Sequence, residues 1–115
     1  QKEKEKKDMK LIYQDFYCKE EVKLKIAHYQ NNGNLAIQMI CVNGEYENEP
    51  FASLTVNLNE KLPENCAYID TNNLRQAFDF CLLNKLAEFD YSFKQSGYCS
   101  YPLMKFNMDE VKKYC

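Results

Sequence analysis

The alternation of apolar and charged residues ahead of Asn31-Asn-Gly-Asn34 constrains this chain more than any other feature. Val22, Leu24 and Ile26 are separated by Lys23 and Lys25, and a period of two puts the three apolar side chains on one face of a strand. Leu35 opens a second apolar run just after the tetrad, whose Asn and Gly residues tolerate the positive φ of a turn. Together the runs predict a β-hairpin of strands 22–29 and 35–42. The second strand is apolar on both faces except at Gln38, which predicts a central strand with a helix across one side.

The same reading continues along the chain. Residues 51–58 form a third expected strand, with Ala52, Leu54, Val56 and Leu58 on the core face and Ser53, Thr55 and Asn57 outside. Residues 66–70 make a short strand, and residues 98–106 a last one. Pro102 lacks a ladder donor, so that last strand is expected at an edge or beside a bulge. Asp70-Thr-Asn-Asn73 signals a helix start, with Asn73 as N-cap and Gln76 three residues on. Leu74, Ala77, Phe78, Cys81, Leu82 and Leu86 then recur at helical spacing, predicting a main amphipathic helix over 74–88 and a loop from Asp90 to Gly97. Asn107, with Glu110 three positions later, predicts a terminal helix over 108–114 with Val111 and Tyr114 turned inward. The expected class is α+β: a mostly antiparallel sheet of four to five strands with the main helix packed on one face. The 115 residues suffice for one core without staples. Residues 20–115 are expected as one domain, preceded by a lead over residues 1–19. Gln1–Asp8 should fray, while Met9, Ile12 and Phe16 fall at the spacing of a short helix.

Charge narrows the function classes. The net charge is −2, but the first ten residues hold five Lys against three acids, leaving a mildly acidic body with a single Arg, Arg75. Nucleic-acid affinity rests on clustered Lys and Arg, so direct nucleic-acid binding is not expected. No apolar run approaches the roughly 20 residues of a membrane span, and the polar opening predicts no signal peptide. The six cysteines, Cys18, Cys41, Cys66, Cys81, Cys99 and Cys115, admit two readings. Three disulfides would suit a secreted protein, whereas six free thiols would suit a reducing cytoplasm. Several lie inside apolar patterns, where Cys acts as a small hydrophobe, and the balance favours free thiols and a cytoplasmic location.

Candidate chemistry is sparse. His28, the only histidine, continues the strand alternation and has no local Cys, Asp or Glu partners for a metal or a base role. Cys66 and Cys99 are the thiols best placed for exposure, yet neither has a base nearby in sequence. Asp70–Asn73 lacks the alternating ligands of a calcium loop, and Gly33, Gly44 and Gly97 are too scattered to cradle phosphate. No metal and no cofactor is therefore expected. An aromatic group stands out instead: Tyr91, Phe93, Tyr98 and Tyr101, with Phe106 assigned to the core. Tyr-rich loops give rigid contact area at low entropic cost, so these residues are the candidate partner surface. Glu45, Tyr46 and Glu47, in the acidic loop after Gly44, are candidates for a charged rim that steers a basic partner.

Segments Asn34-Leu-Ala-Ile-Gln38, Pro50-Phe-Ala-Ser-Leu-Thr-Val-Asn-Leu58, Leu62-Pro-Glu-Asn65, Ala67-Tyr-Ile-Asp-Thr-Asn-Asn73 and Ser96-Gly-Tyr-Cys-Ser-Tyr-Pro-Leu103 resemble a small single-domain bacterial family of unknown function. The resemblance runs from about Ile26 to Asn107. It implies an origin on conjugative elements, plasmids and phages of Gram-positive bacteria, and a cytoplasmic setting; it carries over no catalytic residue. The expected function is a non-enzymatic, protein-binding accessory protein of a mobile genetic element, acting against host defence as an anti-CRISPR or anti-restriction inhibitor with a defence nuclease as partner. One alternative is an accessory factor for plasmid or transposon replication or for conjugation; a second is a secreted, disulfide-bonded binding protein. A thiol enzyme is the least supported.

Overall fold

The structure, a computed structural model, describes residues 9–115, so the Gln1–Asp8 lead lies outside the described residues. The described residues fold into two four-stranded antiparallel sheets with two short helices. The first sheet has the order β1 (Leu11–Gln14), β2 (Lys19–His28), β3 (Leu35–Cys41), β4 (Pro50–Ser53). The second has the order β5 (Thr55–Val56), β6 (Cys66–Ile69), β8 (Cys99–Phe106), β7 (Ala87–Ser96). Helix α1 covers Ala77–Leu83 and α2 covers Met108–Lys112. The class is therefore mostly β, and the expected α+β fold built on one sheet and a main helix is corrected.

The hairpin read from the alternation is present. Strands β2 and β3 pair antiparallel from Val22↔Cys41 to His28↔Leu35, and β3 is internal. The segment before it departs from expectation: Leu11 and Tyr13 are buried and Ile12 and Gln14 exposed, a strand alternation that pairs with β2. The helical spacing of Met9, Ile12 and Phe16 has no structural counterpart, because Phe16 sits in the turn to β2. There the Asp15 carboxylate accepts from the Tyr17 and Cys18 amides at 2.8 and 3.0 Å.

The expected strand 51–58 divides between the sheets. The Leu54 amide donates to the Ile37 carbonyl of β3, and its own carbonyl accepts from the Asp70 amide after β6, both at 2.9 Å. Leu54 thus belongs to both sheets and is fully buried. The crossing reverses the alternation, so Thr55, expected outside, is buried; its hydroxyl accepts from the Ile37 amide at 3.2 Å and pairs with the Tyr29 hydroxyl at 3.1 Å.

The expected helix 74–88 is shortened at both ends. Asp70 accepts from both the Asn73 amide and the Asn73 side chain, so Asn73 belongs to a turn and caps nothing. Gln76 is the N-cap, and its amide donates to the Tyr13 hydroxyl at 3.3 Å. At the other end Lys85 adopts φ 58, the Leu86 amide donates to the Cys81 carbonyl and the Lys85 amide to the Leu82 carbonyl. This pair of bonds is a Schellman stop, usually built on Gly; here Lys85 occupies the left-handed position. Leu86 closes over Cys81, both fully buried, and β7 begins at once where a helix end and a loop were expected.

Strand β8 lies between β6 and β7, so Pro102 is not on an edge strand. Its missing donor falls where the ladders give out: β6 pairing ends at Tyr68↔Leu103, and β7 is irregular opposite Leu103. The α2 helix starts as expected, with the Asn107 side chain accepting from the Glu110 amide at 3.3 Å and Val111 fully buried. It ends at Lys112 rather than 114. The Tyr114 carbonyl then accepts from the Leu24 amide at 2.8 Å.

Two apolar clusters result. The main core lies between the sheets: Leu11, Tyr13, Val22, Leu24, Ile37 and Met39 from one side meet Ala67, Ile69, Met104 and Phe106 from the other. Leu74, Ala77, Phe80, Cys81 and Val111 join it, and Tyr13 packs edge-on to Phe80 with centroids 5.5 Å apart. A smaller cluster of Cys66, Tyr68, Tyr101 and Leu103 lies on the opposite face of the second sheet, packed by Leu58 and Leu62.

Candidate functional site: an aromatic groove beside the β7 bulge

The exposed aromatic residues converge where α1 faces β7. Between Phe89↔Met104 and Phe93↔Pro102, three residues of β7 (Asp90, Tyr91 and Ser92) stand opposite the single Leu103. Tyr91 takes φ 56, a left-handed conformation that costs a bulky residue on the order of 1 kcal/mol. A bulge re-aims the side chains around it. Here it packs Tyr91 on Phe89 with centroids 4.9 Å apart and the rings tilted by 43°, and sets Phe93 edge-on to the same ring at 5.3 Å. Phe89 also meets Phe78 of α1 edge-on at 5.0 Å. The outcome is an open groove of about 840 Å³ lined by Phe78, Leu82, Lys85, Ala87, Glu88, Phe89, Tyr91 and Asn107.

The groove is water-facing apolar surface. Tyr91 is 87% exposed and Phe93 60% exposed, while Phe78 and Phe89 are half-buried against the main core. Leu82 and the neighbouring Leu83 are exposed too, and Leu83 lines a second hollow with Ile12 and Phe80. Each apolar group held in water forgoes roughly 25 cal/mol per Å² that burial would return. A rigid, aromatic, concave surface of this kind is what a partner side chain fills.

The other expected site residues scatter. Tyr98 is fully exposed at the Gly97-Tyr98 turn of the β7–β8 hairpin, where Gly97 supplies φ 62. It stands at the hairpin tip, away from the groove lining. Tyr101 is corrected: it is only 9% exposed and belongs to the smaller cluster, because β8 turns Tyr101 and Leu103 to the face opposite Met104 and Phe106. Glu45, Tyr46 and Glu47 lie exposed in the turn between β3 and β4. None of them lines the groove. Phe78 and Leu82 fall on the helix stripe expected to face the core, and Phe89 falls just past the expected helix end; the structure brings all three to the groove. The signal for them was the density of aromatic residues between Phe78 and Phe93.

Cys41, Cys66 and Cys81 are buried, Cys18 and Cys99 are partly buried, and Cys115 is exposed. All six cysteines are unpaired. Burial pushes the Cys81 thiol up to about 12. The Cys66 thiol is raised by burial and by the Asp90 charge, against which Lys105 acts only partly. A nucleophilic thiol needs the opposite shift. His28 is exposed at the end of β2, beside Lys61 and Glu64 in a small polar hollow. The Asp70 carboxylate is occupied by Asn73. Among the described residues no helix is long and apolar enough to cross a membrane.

No curated protein and no solved structure matches the chain. Residues 23–115, from the second half of β2 to the last residue, match the family described as a domain of unknown function (DUF4313), and the chain belongs to that family.

Proposed function

We propose that this chain is a non-enzymatic binding protein that docks a partner protein in the aromatic groove between α1 and the β7 bulge. The observation that carries the reading is Tyr91, a bulky residue kept at positive φ whose ring builds the wall of an exposed apolar groove. Strained backbone of this kind concentrates where function requires it. The upward-shifted thiols of Cys66 and Cys81 support a binding role over thiol catalysis. Six unpaired cysteines support action in a reducing compartment, the bacterial cytoplasm.

The finer reading is an accessory protein of a mobile element that inhibits a host defence nuclease of the CRISPR or restriction type. It draws support from the segments that resemble small proteins of conjugative elements and phages, and from a net charge of −2 suited to a basic nuclease surface. In the test, tagged chain is mixed with purified CRISPR and restriction nucleases while complex formation and DNA cleavage are measured. A complex is expected, and Tyr91→Ala combined with Phe93→Ala weakens it roughly tenfold or more. Tyr46→Ala leaves it unchanged. A tight complex that survives the double substitution would overturn the groove as the docking site. Capture of a relaxase or a replication initiator in place of a nuclease would favour the replication and conjugation reading.

A further inference from the structure

The connection between β5 and β6, residues 57–65, runs across the outer face of the second sheet. Its Leu58 and Leu62 close the smaller cluster of Cys66, Tyr68, Tyr101 and Leu103, which is separate from the main core. Side chains hold this connection more than ladder pairing does. Asn34, only 6% exposed, is the principal fastening. Its amide group donates to the Glu60 carbonyl at 2.6 Å, and its side-chain oxygen accepts from the Leu62 amide at 2.9 Å. Asn57 adds bonds to Asn31 and Asn32 of the β2–β3 turn at 2.9 and 3.0 Å. Glu60 is the second fastening, accepting from the Tyr68 hydroxyl at 2.9 Å and from the Lys94 ammonium at 2.8 Å.

We propose that residues 57–65 form a removable cover, which unfastens as a unit while the two-sheet core stays closed and thereby exposes Tyr68, Tyr101 and Leu103. Two features carry this. The cover contributes no side chain to the main core cluster, so lifting it leaves that cluster intact. It is held mostly by side-chain bonds, which also include Lys61 to the Asn32 carbonyl at 3.1 Å and Asn31 to Asn59 at 3.4 Å. Its backbone bond to β8, from the Phe106 amide to the Asn65 carbonyl at 2.7 Å, lies at its last residue, where it hinges. Such a segment opens below the global unfolding free energy. The device is independent of the groove on the other side of β7, and it explains why Tyr101, an aromatic residue in a Tyr-rich stretch, is shielded in the closed form.

Cysteine alkylation of the full chain tests it, because Cys66 lies under the cover and Cys81 lies fully buried in the main core. Iodoacetamide labelling under native conditions is followed for each cysteine by peptide mass spectrometry at increasing urea. Cys66 is expected to label at least tenfold faster than Cys81, with a much shallower urea dependence, since a local opening exposes little surface. Asn34→Ala accelerates Cys66 roughly tenfold or more, and Glu60→Gln, at an exposed position, does so by a smaller factor. Val111→Ala, in the main core, accelerates Cys81 and leaves Cys66 unchanged. Equal rates and equal urea slopes at the two cysteines would overturn the proposal, because both would then report global unfolding. So would Cys66 labelling that ignores both Asn34→Ala and Glu60→Gln, or that follows Val111→Ala in step with Cys81.

Discussion

At the scale of the residue, five non-Gly positions among the described residues hold a left-handed φ; Asn48, Asn59 and Asn65 are of the type that tolerates it, and the other two differ in purpose. Lys85 and Tyr91 both hold a left-handed φ, 58 and 56. At Lys85 the conformation serves the Schellman stop, and the side chain is exposed at the groove's rim. Gly enters this region freely, whereas an L side chain meets its following carbonyl. Lys85→Gly is therefore expected to stabilise the fold by roughly 0.5 kcal/mol, the strain relief being partly offset by the greater unfolded-state freedom of Gly. Thermal melts should rise by about 2 °C; a fall would show that the Lys85 stem contributes packing of its own. Tyr91 gains from its strain a ring packed on Phe89, which no Gly could supply.

At the scale of the element, the cover over the second sheet ties stability to pH. The Glu60 carboxyl is held below its ordinary value of 4.5, first by the Lys94 ammonium and then by the Tyr68 hydroxyl, with burial opposing weakly. A carboxylate depressed in the folded state stabilises it only while ionised. That contribution is complete above pH 4.5 and is lost as pH falls through the lower folded value. The melting temperatures of the native chain and Glu60→Gln should differ at pH 6 and converge toward pH 3. A gap that stays constant across this range would rule out the Glu60 contact as its source. The elements themselves were unequally legible. The β2–β3 hairpin announced itself through Val22, Leu24 and Ile26 and the Asn-Gly turn. Helix α1 reads too long in the sequence because the stop at Lys85 lacks the usual Gly, so Leu86 continues the stripe and hides the start of β7. The sheet crossing at Leu54 was invisible because Ala52, Leu54, Val56 and Leu58 alternate without interruption, although the burial of Thr55 reverses the pattern. Of the groove, Tyr91 is readable from aromatic density, as is Phe93, which packs on Phe89 at the groove's flank. Phe78 and Leu82 are not, since their role depends on where the helix ends.

At the scale of the whole molecule, the family match and the folded unit have different limits. The match begins at Lys23, inside β2, yet the main core includes Leu11 and Tyr13 from β1 and Val22 from the first half of β2. Tyr13 is especially committed: it packs on Phe51 and Phe80, and its hydroxyl accepts from the Gln76 amide at the start of α1. It therefore joins both edges of the first sheet to the helix that forms one side of the groove. Deleting residues 1–22 removes these side chains and strips β2 of its partner at Leu11–Gln14. Truncating a buried Leu or aromatic side chain costs about 2–5 kcal/mol each, against a total stability of roughly 5–15 kcal/mol. A chain of residues 23–115 is thus expected to be largely unfolded at 25 °C, with low near-ultraviolet dichroism and no cooperative melt, whereas Tyr13→Phe stays folded and loses only the hydroxyl's bonds to Gln76 and Asp15. Cooperative unfolding of the 23–115 chain near the native melting temperature would show that β1 is dispensable and that the matched region carries the core alone.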